Sequence, residues 1–454
     1  MSINKNMIEE RSILKKIFAV LIVLSFFIQI NGITLQDAVK ISLEENLDYK
    51  EAKINKKISG INKNNSLLGM IPDLSTTVDY DALDESYKKN FRLSQDIFYS
   101  GQEIFSYLSS KYNYEYAKNY LKNKKNEVII ESVKKYLELL KAQDRVELWD
   151  VEVEKAKNDY EKAEKMYEYG NTAKLDLLES KNYYMYAKHN LKVEKNNYNL
   201  RKIEFEEYLN KEIDVIEEYE FPELTIKNLE SYMDFAENNS YEYENLVLNY
   251  KANKYNYWSY KMEKLPQVNF FLEKNYTDKE FDSYENDALT YGVSVDLSGW
   301  LYSSVNADYS YSEYDDIISN LPEASNDEVY SLTMNILNGD YTTSSVLQKK
   351  ISYLRSKKRI ENEKRALEKL IKTAYYNLVD AKSYYEMQKM NLEAKQELRR
   401  KRMKEYELGI IDSSERFDAI KQYLQAEIDY IDAKYNYYIS WYNLLKVVGK
   451  EIEI

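Results

Sequence analysis

The chain has no cysteine among its 454 residues. Disulfide staples, thiolate metal sites and lipid attachment through cysteine are therefore excluded. Proline occurs only four times and glycine ten times, so regular elements can run long without a break. The single histidine, His189, lies mid-helix between Lys188 and Asn190, the setting of a solvated surface residue. The scattered glycines assemble no phosphate loop. Basic residues are in deficit, 64 against 77 acidic, for a net charge of -13. Such a chain does not suit nucleic acid, whose phosphates need Lys and Arg. With a mean hydropathy of -0.67, it is not a helical membrane protein. The carboxylates alternate with Lys along helices, as on a solvated charged face. The expectation is a protein that is no enzyme and carries no cofactor or metal.

One segment is membrane-like. Ile17 to Ile30 follows Arg11, Lys15 and Lys16 and precedes Asn31-Gly32. An apolar run this short after a basic start reads as a secretory signal over 1–32, and an uncleaved anchor is the alternative. Removing 1–32 takes the net charge to -15, because that segment holds four Lys/Arg and two Glu. The 47 tyrosines fit either an AT-rich codon bias or tyrosine at membrane interfaces and helix seams.

The second half repeats the first. Tyr167-Glu168-Tyr169-Gly170 recurs as Tyr406-Glu407-Leu408-Gly409. At the same offset of 239, Glu179 meets Asp418, Tyr184 meets Tyr423, Ala187 meets Ala426 and Tyr198 meets Tyr437. The register holds without a gap to Lys211-Glu212-Ile213 and Lys450-Glu451-Ile452. A unit of this size is far longer than a solenoid repeat and implies two pseudosymmetric copies of one element, 33–224 and 225–454. Pro72 and Pro266 each end a helical pattern, Pro222 lies between the copies, and Pro322 sits in an acidic loop.

Each copy reads in the same order. A helix over 34–69 or 229–264 comes first, with Asp48-Tyr49 and Glu242-Tyr243 matching around Asn46 and Ser240. Strands follow, and then a long helical hairpin: 102–168 with 172–209, and 343–407 with 413–448. Each hairpin turns at one glycine, Gly170 or Gly409. Leu177, Tyr184, Leu191, Tyr198 and Phe205 lie seven apart, as do Arg416, Tyr423, Tyr430, Tyr437 and Leu444. A sustained heptad imposes a left-handed supercoil, and 65 helical residues span roughly 100 Å. The strands alternate with period two. Val78, Tyr80, Ala82 and Phe91, Leu93, Gln95, Ile97 belong to the first copy. Four runs from Val268 to Ile336 belong to the second, with a short turn at Ser298-Gly299-Trp300 and long acidic loops over 277–290 and 312–328. Short turns at one end and long loops at the other are the pattern of outer-membrane barrels, with a soluble sandwich as the alternative.

These residues, above all Tyr406-Glu-Leu-Gly409 followed by Glu415 and Asp418, and Ala433-Lys-Tyr-Asn-Tyr437, resemble the TolC-like outer-membrane efflux family over about 34–449. The resemblance implies a mainly α chain with a membrane β-barrel portion: duplicated long helical hairpins, plus strands that close a barrel only in a homotrimer. It implies a tunnel running from the outer membrane into the periplasm, and partners in a periplasmic adaptor and an inner-membrane transporter. The duct would serve a tripartite efflux pump or type I secretion. The family's usual count is four strands per protomer. Two plus four are legible here, so the trimer reaches up to 18 unless the extra hairpin, Tyr291 to Tyr311, is an external loop. By motif, Tyr406, Glu415 and Asp418 in the second hairpin, and Asp176 and Glu179 in the first, become pore-entrance candidates. Three copies of an inward carboxylate would favour cations. Helix capping is the alternative, Asp412 with Glu415 fitting a capping box and Asp176 lying in a first turn. A basic residue common in the family two positions after the second turn glycine is here Ile411, with Arg416 and Lys174 nearby. The competing reading is a periplasmic coiled-coil adaptor or scaffold without a pore, which extraction without detergent would reveal.

Overall fold

The computed structural model describes residues 32–98, 101–281, 287–300, 303–314, 327–336 and 341–451. The expected signal segment, apart from Gly32, lies outside these residues, as do 282–286 of the first acidic loop and 315–326 of the second. In order, the elements are α1 (Leu35–Glu45), α2 (Leu47–Leu68), β1 (Asp73–Asp81), β2 (Ser86–Phe98), α3 (Gln102–Glu168) and α4 (Lys174–Leu209). The second copy gives α5 (Leu229–Asn239), α6 (Tyr241–Met262), β3 (Gln267–Asp278), β4 (Asp287–Trp300), β5 (Ser303–Tyr314), β6 (Asp327–Ile336), α7 (Tyr341–Glu407) and α8 (Ser413–Val448). The helices match copy for copy in length: 11, 22, 67 and 36 residues in each. The copies differ in their strands, two against four.

Each single helix expected over 34–69 and 229–264 is in fact two. The break falls at Asn46 and at Ser240, both of which leave the helical region for extended backbone (ψ 119° and 115°). The Asn46 side chain accepts from the Tyr49 N–H at 2.9 Å while its own N–H donates to the Ser42 carbonyl at 2.9 Å. It therefore closes α1 and opens α2, satisfying backbone groups that a helix end leaves without partners. Asn46→Ala is expected to cost about 1 kcal/mol and Asn46→Asp almost nothing. Chemical unfolding of the detergent-solubilised protein measures both.

The heptad rows lie in the seams between helices. In α8 Arg416, Tyr437 and Leu444 are buried, as are Ala419, Ala426 and Ala433, which also lie seven apart. Three apolar clusters result. Leu137, Leu139, Phe205, Leu209 and Tyr442 join α3, α4 and α8 beside α1. Trp149, Ala156, Tyr183, Ala187, Phe417 and Leu424 join the same three helices nearer the turns. Ala236, Leu378, Leu444 and Val448 join α5, α7 and α8. His189 is exposed, as expected.

The six strands form one antiparallel sheet in the order β1-β2-β3-β4-β5-β6. Side chains alternate across a strand, so the register assigns every residue to a face. Leu74, Leu93, Leu272, Tyr291 and Tyr311 form one row; Ser75, Arg92, Glu273, Thr290 and Ser312 form the next, on the opposite face. The apolar face continues through Phe91, Phe270, Val268, Val293, Val295, Ala307 and Leu332. The polar face continues through Asn90, Asn275, Asp96, Asn269, Ser294, Asp308 and Ser331. Among the described residues the sheet is open, and β1 and β6 each pair on one side only. Among the described residues no helix is long and apolar enough to cross a membrane.

Candidate functional site

Both long hairpins turn on a glycine in the left-handed region, Gly170 at φ 74° and Gly409 at φ 70°. The turns have the same bonds. Gly170 N–H donates to the Tyr167 carbonyl and Asn171 N–H to that of Met166; Gly409 and Ile410 repeat this with Tyr406 and Glu405, all at 2.8–2.9 Å. A Cβ at either glycine would meet nothing within 4 Å, so backbone conformation rather than space calls for glycine.

The two turns are tied together by the first turns of α8. Ser413, fully buried, donates its hydroxyl to Asp176 Oδ1 at 2.8 Å and also contacts the Glu179 carboxylate. Thr172 donates to the other Asp176 oxygen at 3.0 Å. One turn further along, Arg416 pairs with the Asp159 carboxylate of α3. Its guanidinium lies 4.7 Å from the Tyr406 ring centre and 4.5 Å from that of Phe417. Burial pushes the Tyr406 hydroxyl above its ordinary value, with Arg416 opposing and Asp176 adding to the shift. Phe417 in turn stacks on Tyr183 at 4.6 Å.

Tyr183 leads to a second charged group. Its hydroxyl donates to Glu152 Oε1 at 2.6 Å. Desolvation, then the Glu152 charge, drive the Tyr183 hydroxyl far upward. Glu152 is only 3% exposed, yet it lies 3.8 Å from Arg399 and 3.9 Å from Lys155. Arg399 also covers the Tyr423 ring at 4.6 Å. Residues of α3, α4 and α7 thus meet at one buried carboxylate, and Arg399 reaches on to Tyr423 of α8.

The structure gathers Tyr406, Asp176 and Glu179 around Ser413 and Arg416. Glu415 and Asp418 stand apart from that group. Asp412 accepts from the Glu415 N–H at 2.9 Å, and the Glu415 carboxylate lies 3.9 Å from Arg402. Asp418 keeps a side chain 66% exposed, with Lys421 3.9 Å away. Sequence reasoning missed Asp159, Ser413, Glu152, Tyr183 and Arg399. One signal could have found the pairing: a buried arginine at the head of a heptad row otherwise made of Tyr and Leu needs an acidic partner.

The tips also expose apolar side chains. Tyr169, Leu175, Leu408 and Ile410 are each at least 65% exposed.

The family model of outer membrane efflux proteins matches residues 247–450, most of the second copy. No curated protein matches the sequence. Solved channels share the fold at low identity. The Campylobacter jejuni CmeC outer membrane channel superposes with a TM-score of 0.68 at 13% identity, over 92% of this chain and 86% of its own. The Vibrio cholerae outer membrane protein VceC gives 0.67 at 10%, over 92% and 97%. The open state of the Neisseria gonorrhoeae MtrE outer membrane channel gives 0.64 at 12%, over 92% and 89%.

Proposed function

For a chain that matches the outer membrane efflux proteins over residues 247–450 and has the fold of TolC-like channels, we propose the role of a passive exit duct. Three copies close one barrel in the outer membrane, and their hairpins form a tunnel into the periplasm. The observation that carries this reading is the two-faced, open-edged sheet joined to helices of 67 residues. Six strands with free edges leave backbone donors and acceptors bare, which lipid does not tolerate. Pairing of the β6 edge with the β1 edge of the next copy satisfies them and closes the wall. The apolar rows then face lipid and the polar rows face water.

Transport energy comes from an inner-membrane transporter, and a periplasmic adaptor engages the exposed apolar side chains near Gly170 and Gly409. Efflux solutes and secreted polypeptides both suit such a duct. Opening is an outward swing of the tips that parts Arg416 from Asp159 and Ser413 from Asp176 and Glu179, a movement between packed states that partner contacts bias. Asp418, exposed at the tip, is the carboxylate placed to ring the entrance, with Glu415 beside it.

Single-channel recording in a planar bilayer tests the reading. The wild type should insert as discrete, cation-preferring steps. Asp418→Ala should weaken that preference, because three carboxylates leave the constriction. Arg416→Ala should raise the unit conductance by freeing the α8 turn from Asp159. Unchanged selectivity in Asp418→Ala moves the constriction elsewhere and keeps the duct. A folded detergent-purified protein that never inserts supports the periplasmic scaffold instead.

A further inference from the structure

We propose that the β4–β5 hairpin is a lipid-facing part of the barrel wall and not an external loop, so that the assembled barrel holds 18 strands, three copies of six, and a correspondingly wide exit. The inference rests on the trimeric duct reading and specifies its outer end.

Three observations carry it. First, the hairpin is hydrogen-bonded into the sheet on both sides. β4 pairs with β3 from Gln267↔Asp296 to Tyr276↔Asp287, and β5 pairs with β6 from Ser303↔Ile336 to Ser312↔Asp327. An external excursion would leave β3 and β6 to pair with each other. Instead β4 and β5, with 14 and 12 residues, each exceed the roughly 9–11 residues a tilted strand needs to span a bilayer.

Second, the hairpin carries the same two faces as its neighbours. Leu289, Tyr291, Val293, Val295 and Leu297 alternate with Thr290, Gly292, Ser294 and Asp296. Val305, Ala307, Tyr309 and Tyr311 alternate with Asn306, Asp308, Ser310 and Ser312. The parity is continuous with Leu93 and Leu272 on one face and with Arg92 and Glu273 on the other. A hairpin standing in water has no reason to keep one face apolar. On that face aromatic pairs cross the strands, Tyr291 with Tyr311 at 5.3 Å and Tyr309 with Tyr330 at 4.9 Å. Aromatics of this sort are abundant where barrels meet lipid.

Third, the polar face locks β4 against β3. A Cβ at Gly292 would lie 2.5 Å from the Phe271 ring and 2.4 Å from the Tyr309 carbonyl. The Phe271 ring therefore lies over the bare backbone of Gly292, the device by which an aromatic shields a strand glycine and pins register. Arg92 covers the same ring at 4.7 Å and pairs with Glu273 at 3.5 Å. Further bonds run across the added strands, between the Thr290 and Ser312 hydroxyls at 2.9 Å and from Ser331 to Asp308 at 3.0 Å.

The consequence is an exit that does not limit size. Barrel diameter grows roughly linearly with strand number, so 18 strands make a wall about one and a half times as wide as 12. Solutes that the helical tunnel admits would leave without further sieving.

The absence of native cysteine makes the test direct. Val293→Cys, Ser294→Cys, Ala307→Cys and Asp308→Cys are made singly and treated with a membrane-impermeant maleimide in intact outer membranes. Leu93→Cys and Ser94→Cys on β2 serve as reference. The attacking species is the thiolate, which hydrocarbon suppresses, so Val293→Cys and Ala307→Cys should react on the order of ten-fold or more slowly than their neighbours. All should react after denaturation in SDS. Equal rates within both hairpin pairs, with Leu93→Cys still protected, would place the hairpin in water and overturn the proposal while keeping the duct. Equal rates in all three pairs would overturn the duct itself. A second measurement is independent of labelling: deletion of residues 287–314 should lower the size of poly(ethylene glycol) excluded from the external mouth. An unchanged cut-off in an inserted deletion variant also overturns the wider wall.

Discussion

Leu272→Arg is expected to abolish recovery of the protein from the outer membrane, while Thr77→Arg leaves it intact. Leu272 sits in the middle of the apolar face, between Leu93 on β2 and Tyr291 on β4. Thr77 sits on the polar face, opposite Asn90 and in one row with Asn275. An arginine on the lipid face near mid-membrane costs about 2–4 kcal/mol, and three copies bring that to about 6–12 kcal/mol per assembled barrel. This is comparable to the whole stability of an ordinary domain. The same arginine in a watered lumen costs little. Membrane fractionation with semi-native electrophoresis of the trimer reads both. Comparable recovery of the two variants would mean the apolar rows do not meet lipid.

The second large effect belongs to Glu152. Glu152→Ala is expected to destabilise the hairpins by about 3–5 kcal/mol, the usual result of removing one member of a buried charged group. The substitution strands the Tyr183 hydroxyl, which donates to Glu152 at 2.6 Å, and leaves Arg399, only 22% exposed, without its carboxylate 3.8 Å away. Lys155, half exposed at 3.9 Å, is a solvent-screened partner, so Lys155→Ala should change stability by less than about 1 kcal/mol. Tyr183→Phe should fall between them, at about 1–3 kcal/mol, because it leaves one carboxylate oxygen short of a donor. Urea unfolding followed by protease susceptibility of the hairpins gives the order. If Lys155→Ala proved as damaging as Glu152→Ala, the surface pair and not the buried one would hold the helices together.

Much of the chain was legible because the physics behind it is local. The hairpin limits at Gln102, Glu168, Ser413 and Val448 follow from unbroken heptads and from glycines that alone accept the turn conformation. The strand faces follow from a period of two. Even the break at Asn46 left a trace, since the matching pairs after Asn46 and Ser240 mark capping residues. A continuous apolar pattern across the break disguised it: one capping side chain redirects the backbone and leaves the run of apolar residues in the sequence uninterrupted. Arg416 was visible as an ill-fitting member of a heptad row. Its partner Asp159 was not, being 257 residues away among many acidic residues on α3.

The sequence by itself determined the duplication, the long helical hairpins with their glycine tips, the two-faced strands and the absence of thiol chemistry, because periodicity and backbone conformation are written in neighbouring residues. Only the tertiary structure decided that β4 and β5 enter the sheet, that Ser413 and Arg416 tie the hairpins through Asp176, Glu179 and Asp159, and that Glu152 of α3 is shared with α4 and α7. These are questions of which face meets which across hundreds of residues. A helical or strand period gives the direction of a side chain but not the identity of what it meets, and that identity is set when the elements pack.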